Sequence, residues 1–461
     1  MASDADDDRP GEDENGRPDD ERSNPPNPFA GTPLESLFGA MGSGQMPDLQ
    51  QLMGQVQQLL TPHEGNINWE LAGQVARQTL TQNPDPSPRG DQASRIADAA
   101  RLADHWLDDV TALPSGTSSV AAWSRAEWVE ATRPTWQRLV EPIADNVVRA
   151  MGDAMPAEAR QMAGPLLGIL TQVGGAMFGQ QVGQAIGELA GEVVGTTDVG
   201  LPLTEPGTAA LLPTNVAAFG SGLAQSDDDI LLYLALRECA HQRLFVHVPW
   251  LRGHLFGAVE EFGRGTSIDV SKIEEQLGRL DPTDPQAMQE AFAGGLFEAE
   301  HTPTQQAALT RLETLLALVE GWVDEVVTQA TRDRMPSADP LREAVRRRRA
   351  AGGPAEQTFA SLVGLELRPR RLRDASNLWA ALRDAKGHAA RDAVWAHPDL
   401  MPGAADLDDP LGFVQADRDA DERPAGSDAK FDEALARLLE EGEDGNTTDE
   451  DADDDGRGSD S

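Results

Sequence analysis

Cysteine is nearly missing from this chain: Cys239 is the single thiol among 461 residues. One thiol forms no intrachain disulfide, and a chain of this length builds a core without such staples. Also absent is any unbroken apolar run of about 18 residues, the length a membrane-spanning helix needs. The N-terminal Met1-Ala2-Ser3-Asp4-Ala5-Asp6 has neither the basic nor the apolar stretch of a secretory signal. Together these absences lead to the expectation of a cytoplasmic protein with no membrane partner. Basic residues are scarce too. Lys and Arg number 38 against 78 Asp and Glu, a net charge of −40. Residues 1–28 hold ten acids and three bases, and residues 414–461 hold eighteen and five, so the two ends carry half of the excess. A field of this sign repels nucleic acid and anionic lipid, and no nucleic-acid partner is expected.

The positive signals are helical. Residues 1–28 contain almost nothing apolar and are expected to be a disordered acidic tail. Residues 29–62 carry Leu34, Leu37, Phe38 and Met41, then Leu49, Leu52, Val56, Leu59 and Leu60, at the spacing of a small helical segment. Residues 63–413 form the main domain. Residues 414–461 form a second acidic tail, interrupted by the amphipathic set Phe431, Leu435, Leu438 and Leu439. Within the domain, a helical pattern over 68–113 breaks at Asp85-Pro86-Ser87-Pro88, and a second pattern around Trp128, Trp136, Leu139 and Ile143 is expected to break at Pro134 and Pro142. Residues 198–226 read as a long connection, with Val199 to Leu203 as a short strand. Helices are predicted from Asp227 and over Pro303–Ala330. Strand signals are otherwise few, and the expected fold class is mainly α.

Gly175, Gly179, Gly183, Gly187, Gly191 and Gly195 recur every four residues. Each costs a helix roughly 1 kcal/mol against alanine. The i, i+4 row is a packing ridge, and stripping it of side chains predicts that another backbone approaches closely there. Gln180, Gln181, Gln184, Glu188 and Glu192 argue against a membrane span.

The helix predicted from Asp227 carries Arg237-Glu238-Cys239-Ala240-His241. In the motif His-Glu-x-x-His, two histidines four apart share a helix face and bind zinc, while the glutamate activates the metal-bound water. Glu-x-x-His alone is a weak signal. The run from Leu236 to Phe245 followed by Val248-Pro249-Trp250-Leu251-Arg252 adds to it, as do Ala317 to Val326, Arg346-Arg347-Arg348-Arg349-Ala350 with Gly352 to Gln357, and Trp395-Ala396-His397-Pro398-Asp399-Leu400. As a set, these runs resemble the zincin-like metalloproteases of actinobacteria, over roughly residues 65 to 413. The resemblance implies a zincin-like helical core, a zinc-dependent peptidase or other hydrolase, Zn²⁺ held by His241 and Glu320, and Glu238 as general base.

Arg237 departs from that pattern. A guanidinium stays protonated and has no lone pair for a metal. Being four residues from His241, it faces the same way, within reach of Glu320 or Glu238. Two readings follow. In one, the chain is a zinc hydrolase whose third ligand comes from elsewhere. In the other, Arg237 stands where the metal would be, and the chain is an inactive zincin-fold scaffold or binding protein for a peptide or protein partner. His247 has the spacing of a third histidine after His241, but Leu244 stands where the associated glycine would be, so it is a weak candidate ligand. His301 and His397 read as loop histidines, and Cys239 as a small buried apolar residue. The basic run Arg346–Arg349 reads as a solvated face or one paired with acids of the tails or core.

Overall fold

The computed structural model of the chain describes residues 65–154, 164–264, 302–350, 358 and 371–421. They belong to a unit formed by Pro62–Ile268 and Ala299–Ser461; a second unit, Met1–Thr61 with Asp269–Glu298, lies outside the described residues. The expectations for the segments 1–28, 29–62 and most of 414–461 therefore fall outside them, as does His301.

The described residues are mainly α, as expected. Trp69–Leu80 (α1) starts at Asn68, whose side chain accepts from the Leu71 amide, and Gly90–Leu107 (α2) follows the Asp85–Pro88 break. Arg125–Ala154 (α3) runs through both Pro134 and Pro142, contrary to the expected breaks. Trp128, Trp136, Leu139 and Ile143 are all buried on it, so tertiary packing outweighs the hydrogen bonds the prolines remove. Gly164–Ala190 (α4) carries Gly175, Gly179, Gly183 and Gly187 of the glycine ridge, and Gly191 and Gly195 lie beyond its end. The expected strand at Val199–Leu203 does not form. The strand is Thr208–Leu211 (β2), paired in parallel with Ser119–Ala122 (β1), and Pro213–Gly220 (α5) occupies part of the predicted connection. A parallel ladder needs its partner far along the chain, which local alternation does not reveal.

The remaining helices are Asp227–His247 (α6), Pro249–Arg264 (α7), Pro303–Thr331 (α8), Ala338–Ala350 (α9), Leu372–Lys386 (α10), His388–Ala393 (α11), Ala404–Asp408 (α12) and Pro410–Asp421 (α13). Ser226 caps α6 by accepting from the Asp229 amide, and Asp227, Asp228 and Asp229 complement the positive end of the helix. Every side chain of α6 from Ile230 to Phe245 except Leu232 is buried. Such a helix must be enclosed on all sides. It is packed by α2, α5, α7, α8, α9 and β2. No described helix is long and apolar enough to cross a membrane.

The glycine ridge does what its spacing predicts, against α1. A Cβ at Gly183 would lie 2.3 Å from the Ala72 carbonyl oxygen, one at Gly179 2.4 Å from that of Asn68, and one at Gly187 2.8 Å from the Thr79 Cβ. Replacing Gly183 by Ala is expected to lower unfolding free energy by about 1–3 kcal/mol, because overpacking against backbone exceeds the roughly 1 kcal/mol gain in helix propensity. Urea denaturation checks this; a variant more stable than the parent would contradict the packing.

Candidate functional site

Two helices distant in sequence bring the candidate residues together. On α6, Arg237 and His241 share a face. On α8, begun by Pro303 and a reciprocal cap between Thr302 and Gln305, Glu320 lies opposite them. The Glu320 carboxylate is fully buried. Its Oε2 accepts from Arg237 Nη2 at 2.6 Å, and its Oε1 lies 3.0 Å from His241 Nε2 and 2.8 Å from Arg349 Nη2.

Burial alone would raise the Glu320 pKa. Arg349, His241 and Arg237 outweigh it and hold the carboxyl far below the usual carboxylate range. Burial likewise opposes the charge of Arg237, yet Glu320 and other neighbours raise its pKa above the ordinary value. On its other side, His241 Nδ1 lies 2.8 Å from the Arg237 carbonyl oxygen. Both ring nitrogens therefore face oxygen atoms of the protein.

A second carboxylate extends the cluster. Asp198 Oδ2 accepts from Arg348 Nη1 at 2.8 Å and from the Val194 amide at 3.0 Å, while Arg349 Nη2 donates to the Asp198 carbonyl oxygen at 2.9 Å. Burial pushes the Asp198 pKa up, but Arg348 and Arg349 overcome it, and the net shift is downward. Nearby, Arg346 and Arg342 both donate to Asp324, at 2.7 and 2.8 Å. The run Arg346–Arg349 thus turns three of its guanidiniums onto the buried Asp324 and Glu320 and the partly buried Asp198, while Arg347 pairs with Glu343 of its own helix at 3.4 Å.

Glu238 takes part in a different network. Its Oε1 accepts from the Thr196 hydroxyl and from Gln242 Nε2 at 3.2 Å; its Oε2 accepts from the Thr197 amide at 3.1 Å and the Thr197 hydroxyl at 2.7 Å. Gly195 makes the approach feasible, since a Cβ there would sit 2.6 Å from Glu238 Oε2. Burial raises the Glu238 pKa; the side chains of Thr196, Thr197 and Gln242 oppose that, and the net shift is upward. The cavity lined by Glu238, Cys239 and Ile96 measures about 10 Å³, room for at most one water.

His247 ends α6, exposed, with Nε2 3.2 Å from the Ser115 carbonyl oxygen. His397 is an exposed cap whose Nδ1 accepts from the Asp399 amide at 3.2 Å. Neither ring makes a contact with Glu320 of the kind His241 makes. Cys239 is buried, as expected, and burial pushes its thiol beyond the ordinary range.

A family model of zincin-like metallopeptidases matches residues 67–414, about three-quarters of the sequence. The chain belongs to the zincin-like metallopeptidase family. A crystal structure from Chloroflexus aurantiacus, provisionally described as a hydrolase with a novel fold, is similar at 22% identity. It superposes with a TM-score of 0.55 over 78% of this chain and 100% of its own, a likeness of fold. No curated protein matches the sequence.

Family membership implies zinc, so the donor set of this zincin-like chain must be tested against it. His241 Nε2 and Glu320 Oε1, at 3.0 Å, approach the roughly 3.3 Å that separates two ligands about 2.0 Å from one tetrahedral ion. The rest does not fit. Arg237 donates to the carboxylate and Arg349 is ion-paired with it, and among the described residues no group of three His, Cys, Asp or Glu is placed to share a cation. Sequence reasoning missed Arg349 and Asp198. The four-arginine run read equally as a solvated face or as one paired with acids, and nothing local to it named Glu320 or Asp198 as partners.

Proposed function

We propose that this zincin-like chain has given up metal-dependent hydrolysis and serves as a binding or scaffolding protein for a peptide or protein partner. The observation that carries this reading is the Arg237–Glu320 pair. A fixed guanidinium stands on the carboxylate that would ligate zinc, at the helix position where the motif has its first histidine. Arg349 supplies a second positive charge to the same carboxylate, so two guanidiniums do the electrostatic work of one divalent ion. The network around Glu238 supports the same conclusion: all four of its hydrogen bonds tie it to Thr196, Thr197 and Gln242, which is a structural occupation for a group that would otherwise act as general base.

The competing reading is a zinc-dependent hydrolase with His241 and Glu320 as ligands and Glu238 as general base. It is favoured by family membership and by the His241–Glu320 separation. Metal analysis of the purified chain beside Glu238→Gln and His241→Ala separates the two. The proposal expects near-zero zinc in all three, with no chelator-sensitive peptide cleavage. Near-stoichiometric zinc that resists dialysis in the parent and disappears in His241→Ala would overturn it.

A further inference from the structure

We propose that a cleft between α5 and α9 is the docking site of this chain's own C-terminal segment 428–441. The cleft has a volume of about 440 Å³ and is walled by Ala218, Phe219 and Leu223 on one side and by Ala344, Arg347 and Arg348 on the other. It adjoins the Glu320 cluster only through Arg348, which Asp198 holds, and the proposal stands whether or not that cluster holds metal.

The cleft's polar groups divide into fixed and available ones. Asn215 at its floor is saturated: it donates to the Ala190 and Val193 carbonyl oxygens and accepts from Arg125. Arg348 is held by Asp198 and by the Glu192 carbonyl oxygen. Arg347 differs. Its side chain is 73% exposed, and its pairing with Glu343 is a long one within a single helix, the kind worth a few tenths of a kcal/mol. It gives the rim a cation ready to meet an acid, while Phe219 and Leu223 offer an incompletely covered apolar floor.

The segment's chemistry is complementary. Phe431, Leu435 and Leu438 recur at helical spacing and make one apolar stripe. Asp428, Asp432, Glu433, Glu440 and Glu441 flank it, with Lys430 and Arg437 to face Glu192, the carboxylate on the cleft's wall. A helix of this length is marginal alone in water, and laying its stripe into a groove is the usual way such a stripe is covered. Attachment to the same chain raises the effective concentration to the millimolar range, so a weak contact is enough to keep the cleft filled.

Hydrogen exchange read by mass spectrometry on the full-length chain tests this. Amides of 431–439 are expected to exchange at least about 10-fold more slowly than in a free peptide. Arg347→Glu, at an exposed position, and separately Leu435→Asp with Leu438→Asp, should return them to the free rate. The second variant should also speed exchange over 217–224. Free-peptide rates in the parent would overturn the proposal. So would protection that survives Arg347→Glu, which means docking elsewhere, or protection that rises with protein concentration, which means the segment of a second copy is bound.

Discussion

Replacing Glu320 by Gln is expected to cost about 3–5 kcal/mol of unfolding free energy, enough to threaten folding altogether. The carboxylate is the anion on which Arg237, His241 and Arg349 converge. The amide is nearly the same size but removes the nearest counter-charge of the two guanidiniums. A residue whose only duty was to ligate an ion would behave differently: its replacement would abolish binding and leave the metal-free fold almost as stable as before. The acid limb adds a second signature. Because the folded pKa of Glu320 is depressed, its contribution is complete above the unfolded value near 4.5 and is lost as pH falls toward the folded value. Urea denaturation across that range should show the parent losing stability with acid and Glu320→Gln losing less. A penalty under about 1 kcal/mol at neutral pH would remove the argument that this centre is held by charge.

The double variant Arg237→His with Arg349→Ala is expected to acquire about one zinc per chain after dialysis against micromolar metal, where the parent retains close to none. The introduced imidazole supplies the third protein ligand, and loss of Arg349 frees the Oε1 atom that faces His241. Each single change should be insufficient. With Arg237→His alone, Arg349 still neutralises the carboxylate; with Arg349→Ala alone, Arg237 still does, from 2.6 Å. Adding Glu320→Gln to the double variant should abolish the gain. Equal zinc in the parent and the double variant would show that the guanidiniums are not what excludes the metal. The order of effects therefore distinguishes a substituted centre from one that merely lost a ligand.

The helices were legible in the sequence because burial imposes a period, while the encounter between α6 and α8 was implied by the family resemblance. Ile230 to Phe245 and Leu312 to Val326 read as buried helix faces, and the motif residues they carry meet, with His241 3.0 Å from Glu320. The glycine ridge was legible for the same reason: Gly179, Gly183 and Gly187 share one face, and α1 lies on it. Other features were not. Prolines 134 and 142 predict breaks by local rules, but four buried apolar side chains keep α3 continuous. The strand at Thr208–Leu211 depends on Ser119–Ala122, nearly ninety residues earlier. At the site, the identity of Arg237 predicted a pairing with Glu320 or Glu238, and the structure selects Glu320. The destinations of Arg346, Arg348 and Arg349 could not be read, since a run of arginines looks alike whether it faces water or carboxylates from two distant segments.

Arg349 belongs to α9, more than a hundred residues after α6 and well after α8. During synthesis, Glu320 can therefore meet Arg237 before its second guanidinium has left the ribosome. On the proposed reading, the centre is completed by the chain's own charges and needs no cellular supply of a scarce ion. On that reading, a chelator would leave it unchanged and a competing metal would find no ion to displace.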